Sequence, residues 1–80
     1  MEDAIQEARQ EQLEWLRRRL AALDQMEVKL REMRELAVYA ASRNLKDHEI
    51  AQVQEWMNLL KAEVDALDKA TAGQPGKDML

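Results

Sequence analysis

DHEIAQVQEWMNLLKAEVDALDKA, residues 47–70, decides the fold. Ile50, Val53, Met57, Leu60, Val64 and Leu67 recur at spacings of 3, 4, 3, 4 and 3. That is one unbroken apolar seam on one side of a helix, and such a seam needs a second helix to cover it. The remainder of the chain must supply that helix or recruit it.

N-terminal to this stretch, Leu13, Leu16, Leu20 and Leu23 recur at 3, 4 and 3. Met26, Leu30, Met33, Ala37 and Ala40 continue the alternation after a three-residue step from Leu23 to Met26. Such a step overwinds a coiled coil locally or marks a change of partner helix. Neither Gly nor Pro interrupts residues 2–42, so the pattern predicts a single helix of about 60 Å. Glu2 and Asp3 suit its N-terminus, where the helix dipole favours acids. Glu14–Arg18 and Glu27–Arg31 are favourable i,i+4 pairs on its solvated side.

Ser42-Arg43-Asn44-Leu45-Lys46 is the connector, with the turn itself at 43–46. Asn44 tolerates the left-handed conformation that ends helices. Leu45 and Ile50 are spaced for a hydrophobic staple around an N-cap at Lys46, with Asp47 as the alternative cap. The second helix is expected over 47–71, and Gly73, Pro75 and Gly76 mark residues 73–80 as a flexible tail.

An antiparallel fold about residues 44–45 places residue i opposite about 89 − i. The expected hairpin core is then Leu23, Met26, Leu30, Met33 and Leu36 from the first helix, against Ile50, Val53, Met57, Leu60, Val64 and Leu67 from the second. On this count Leu36 meets Val53, Leu30 meets Leu60, Met26 meets Val64 and Leu23 meets Leu67. The second helix runs out near Arg18 or Leu20. Leu13, Trp15, Leu16 and Leu20 are left without an intrachain partner and are expected to form an oligomer interface. Trp56 is expected to flank the hairpin core. The fold class is all-α: one long and one shorter antiparallel helix, forming an oligomeric bundle over residues 1–72.

Eighty residues make one domain at most, and two or three short helices enclose a thin core that gains from association. Residues 1–46 hold nine acidic and nine basic side chains, and residues 47–80 hold seven and three. That balance argues against nucleic acid as a partner, since phosphate binding needs a basic surface. The short run Arg17-Arg18-Arg19 fans over a wide helical arc, with an acidic protein partner as its alternative use. Without cysteine there is no disulfide or thiol chemistry. No apolar run approaches the ~18 residues of a membrane span, and no secretory signal stands at the N-terminus. A cytoplasmic location is therefore expected.

Nothing in the chain points to catalysis. His48 is the single histidine, and its neighbours Asp47 and Glu49 point in different directions from a helix, so no metal site is expected. Glu63 and Asp65 are two apart and diverge, which rules out a converging carboxylate pair. There is no phosphate-binding glycine loop and no nucleophile constellation. The expectation is a non-enzymatic chain with no catalytic residues and no cofactor. Its expected partner is itself, as a homo-oligomer such as a dimer, or another helical protein.

Two segments resemble the N-terminal D1 region of bacterial flagellins. Met33-Arg34-Glu35-Leu36-Ala37-Val38 stands in the block that ends the family's first D1 helix. Asp47, Glu49, Val53-Gln54, Met57, Leu60 and Glu63-Val64-Asp65 stand in the block of the next helix, at the family's spacing. The likeness covers about half the chain, residues 30–67. It implies a helical hairpin that works through helix–helix contact in a bacterial cell, with signal-less export as a possible route. The flagellin D0 segment has no counterpart in residues 1–20, and the matching C-terminal helices are absent, so the resemblance does not imply a filament subunit. In flagellins these helices also carry a surface for an innate immune receptor. Here Glu32 stands where that surface has a basic residue and Trp56 where it has an acid, so receptor recognition is not expected. A small adaptor, chaperone or regulator of flagellar or secretion proteins is the alternative role.

Overall fold

The computed structural model describes residues 2–73. Helix α1 spans Glu2–Ser42 and helix α2 spans Asp47–Thr71. They pack as an antiparallel hairpin, 65 × 18 × 15 Å in its principal extents. The expected flexible tail, except Gly73, lies outside the described residues.

Good helix formers run through α1 with acids in its first turn, and the chain leaves the helix where Asn44 and Leu45 follow Arg43. Ser42 Oγ donates to the Tyr39 carbonyl at 3.1 Å, and the Arg43 guanidinium lies 4.6 Å from the centre of the Tyr39 ring. Lys46 is the N-cap of α2, with extended backbone at φ −76° and ψ 161°. Its carbonyl accepts from Ile50 N–H at 2.9 Å, and its own N–H donates to Glu49 Oε1 at 3.2 Å. This is half of a capping box. A lysine side chain has no acceptor to return the second bond.

The positions of α1 that are not exposed are Trp15, Arg19, Ala22, Met26, Lys29, Met33, Leu36 and Ala40. Their spacings alternate 4 and 3 without a break, so α1 carries one continuous inward seam. The apparent slip at Leu23 to Met26 is a passage between two different stripes of the same helix, and no overwinding is needed. On α2 the seam is Val53, Met57, Leu60, Val64, Leu67 and Thr71, with Ile50 at its open end, 42% exposed.

Three core expectations are corrected here. Ile50, at the seam's open end, lines a groove rather than the core. Leu30 is 51% exposed and Leu23 is 41% exposed, so neither lies in the hairpin core. Lys29 and Ala22, one residue earlier in each case, hold the inward places opposite Leu60 and Leu67 on the 89 − i count. The reason is the period: Met26, Met33 and Leu36 fix the seam's phase, and a heptad from them reaches Lys29 and Ala22 rather than the leucines. Ala22 and Leu60 are the two buried apolar side chains among the described residues.

Candidate interaction surface

Two ion pairs draw α2 onto α1. Lys29 Nζ pairs with the Glu63 carboxylate across the middle of the hairpin. The Lys29 ammonium donates to the Glu63 carboxylate, and this bond holds it charged above its ordinary value of about 10.5; partial burial opposes this, and the charges of Glu63 and Glu32 add to it. Lys29 stands in the α1 seam and Glu63 flanks the α2 seam, so the lysine stem covers apolar surface while its charge reaches an acid at the edge.

The second pair belongs to a clasp at the far end. Arg19 Nη1 donates to Asp68 Oδ1 at 2.8 Å, to the Asp68 carbonyl at 3.3 Å and to Thr71 Oγ1 at 3.0 Å. Trp15 Nε1 donates to the Thr71 carbonyl at 3.0 Å, and Thr71 Oγ1 donates to the Leu67 carbonyl at 2.9 Å. The last four carbonyls of a helix lack intrahelical partners and carry the negative end of its dipole. Two donors from α1 therefore cap the C-terminus of α2. This corrects the expectation for Trp15: it is half-buried and bonded within the chain, because its long indole side chain reaches the last carbonyl of α2.

The leucines of α1 form a separate stripe. Leu13, Leu16, Leu20, Leu23 and Leu30 are 55%, 45%, 60%, 41% and 51% exposed. Leu16, Leu23 and Leu30 lie seven apart on one line, which continues to Ala37; Leu13 and Leu20 lie on the adjacent line, which continues through Glu27 and Arg34 to Ala41. The stripe thus runs into a groove of about 590 Å³ between the helices, lined by Ala37, Ala40, Ala41, Ile50, Val53 and Met57. Small side chains on α1 leave that groove open, and Met57 and Ile50 form its opposite wall.

A second, smaller apolar area involves Trp56 and Leu59, each 57% exposed, which share a hollow with Gln52, Glu55 and Asn58. Trp56 also joins Tyr39, Leu36, Leu45 and Val53 around a shallow groove of about 340 Å³. Its ring therefore edges the core, as a residue beside the α2 seam does, and most of it faces outward.

His48 is exposed in the first turn of α2. Among the described residues no three His, Cys, Asp or Glu side chains could jointly hold a metal ion, and no helix is long and apolar enough to cross a membrane. No family model matches the chain, and no curated protein or solved structure matches it.

Composition alone did not reveal the Arg19 clasp, since a polar residue on an inward seam reads as a break. The available signal was positional: Arg19 and Lys29 keep the 3,4 phase of Met26, Met33 and Leu36 and stand opposite the acid-rich α2.

Proposed function

We propose that this chain is a non-enzymatic helical interaction module that self-associates through the leucine stripe of α1. The observation carrying this reading is the stripe itself: five leucines at helical spacing, all exposed, outside the hairpin seam. An isolated exposed leucine needs no explanation, but a continuous apolar line beside a packed seam is the pattern of a helix with two neighbours. Leu13, Leu16 and Leu20 retain the interface role, joined by Leu23 and Leu30, whereas Trp15 serves the hairpin.

The flagellin likeness fits the same role. The turn between α1 and α2 falls between the two flagellin-like blocks, and both blocks lie on the paired helices. The reading is of a flagellin-like hairpin module in a bacterial cell, acting by helix–helix contact. The exposed Trp56 and Leu59 favour a second role, as an adaptor that receives a helix of a flagellar or secretion protein.

Sedimentation equilibrium across micromolar concentrations tests the first reading. The expected mass exceeds the 9.3 kDa of one chain. Leu16→Lys with Leu20→Lys should return it to one chain while the far-UV helical signal stays. Recovery of flagellar components through Trp56, lost in Trp56→Ala, would support the adaptor role.

A further inference from the structure

We infer that the occupant of the leucine stripe is the same stripe of a second copy, running antiparallel, with a two-fold axis crossing α1 between Ala21 and Ala22. This rests on the self-association proposed above and specifies its geometry. On that register Leu13 stands opposite the second copy's Leu30 and Leu20 opposite its Leu23, each pair occurring twice. Antiparallel helices match the two lines of a stripe against each other in this crosswise way. The axis falls within one residue of the midpoint of Glu2–Ser42, so the two long helices overlap along nearly their whole length.

Charge selects this register over its neighbours. Arg17 and Asp24 lie seven apart along the outer edge of the stripe, and neither takes part in an ion pair within the chain among the described residues. In the stated register Arg17 of each copy comes beside Asp24 of the other. Sliding by one heptad, so that Leu13 meets Leu23 and Leu16 meets Leu20, places Arg17 against Arg17. Parallel pairing brings both Arg17-Arg18-Arg19 runs to one level. Like charges at a helix interface reject both arrangements. Glu27 stands opposite Leu16, but Arg31 Nη2 holds its carboxylate at 3.3 Å, at the stripe's edge.

The groove supplies an independent fit. Ile5 is a lone large apolar side chain in the polar segment 2–12, and it is 54% exposed. In the stated register it lies level with Val38 of the other copy, at the turn of Ala37, Ala40 and Ala41 that walls the open groove. The N-terminal part of α1, which extends beyond the reach of α2, thus becomes a third helix laid along the other hairpin. The chain exposes 6967 Å², whereas a compact monomer of 9.3 kDa exposes about 5,000 Å², so the rod offers a long open side.

The test combines mass with charge reversal on the full chain. Sedimentation equilibrium should give twice the mass of one chain. Arg17→Asp and Asp24→Arg should each weaken the dimer about tenfold, because each reversal sets two like pairs across the axis. The double variant Arg17→Asp/Asp24→Arg should return to within about threefold of the original. Ile5→Asp should weaken it as well, with the helical signal of the hairpin unchanged. A chain that stays monomeric at high micromolar concentration would leave the stripe to a different protein and overturn the self-association reading itself. A dimer indifferent to the single reversals, or not rescued by the double variant, would keep self-association and overturn this antiparallel register.

Discussion

Lys29 occupies a seam position that the heptad period reserves for an apolar side chain, and it is retained there by Glu63 on the facing helix. Its stabilising effect depends on pH in a definite sense. The folded value is raised above the ordinary one of about 10.5, so the pair contributes fully below that pH and is lost as pH rises through the folded value. Melting temperatures of the wild type are therefore expected to hold steady up to about pH 10 and to fall beyond it more steeply than those of Lys29→Met, which has no such group to titrate. At neutral pH the same variant is expected to melt slightly below the wild-type temperature, since it leaves the Glu63 carboxylate without its partner while solvent still reaches both positions. Leu60 makes the opposite case. It is 3% exposed, and Leu60→Ala is expected to cost about 2–4 kcal/mol by urea denaturation. Leu59→Ala, at the adjacent exposed position, is expected to stay within about 0.5 kcal/mol. Equal losses at the two positions would mean that the α2 seam is misassigned.

At the scale of the elements, the two ends of α2 are finished differently. Its N-terminus has a poor cap, because Lys46 offers no side-chain acceptor to the free N–H groups of the first turn. Lys46→Asp is therefore expected to stabilise the fold by about 0.5–1 kcal/mol, read as a higher urea midpoint with an unchanged slope. The C-terminus is capped from outside, by Arg19 and Trp15. Trp15→Phe keeps most of the ring and removes the donor to the Thr71 carbonyl, and is expected to cost about 1 kcal/mol. This contrast explains how much of the hairpin was legible. On α2 the phase-setting residues are Val, Met and Leu, so hydropathy and geometry agree and the seam can be read directly. On α1 the inward seam includes Arg19, Ala22 and Lys29, which carry little hydropathy, while the strongest apolar signal belongs to the outer stripe. Reading apolarity alone joined the two stripes and put Leu23 and Leu30 inside. The antiparallel count of about 89 − i was legible because the connector is short; Trp15–Thr71, Arg19–Asp68 and Lys29–Glu63 bracket it. The clasp was not legible because it depends on how far the Trp15 and Arg19 side chains reach along the hairpin to Asp68 and Thr71, which residue spacing does not give.

For the whole molecule the relevant quantity is how little of it is enclosed. The radius of gyration is 19.0 Å, against about 12 Å for a compact chain of this length. A two-helix rod gives each residue one packed neighbour, and Ala22 and Leu60 alone reach the buried class among the described residues. Such a core offsets conformational entropy by a narrow margin, so contacts between copies are expected to add to the stability of a hairpin that folds on its own. If so, folding and association are linked, and the melting temperature must depend on protein concentration. A hundredfold rise in concentration is expected to add about 2.7 kcal/mol per dimer, which is RT ln 100, and so to raise the midpoint by several degrees. Leu20→Lys should abolish that dependence and lower the midpoint toward the value of an isolated hairpin, because Leu20 is 60% exposed within one chain and has little to lose there. Circular-dichroism melts of both proteins over the same concentration range decide the matter. A wild-type midpoint that does not move with concentration would show that the hairpin stands on its own seam and clasp, and that the leucine stripe contributes nothing to its folding.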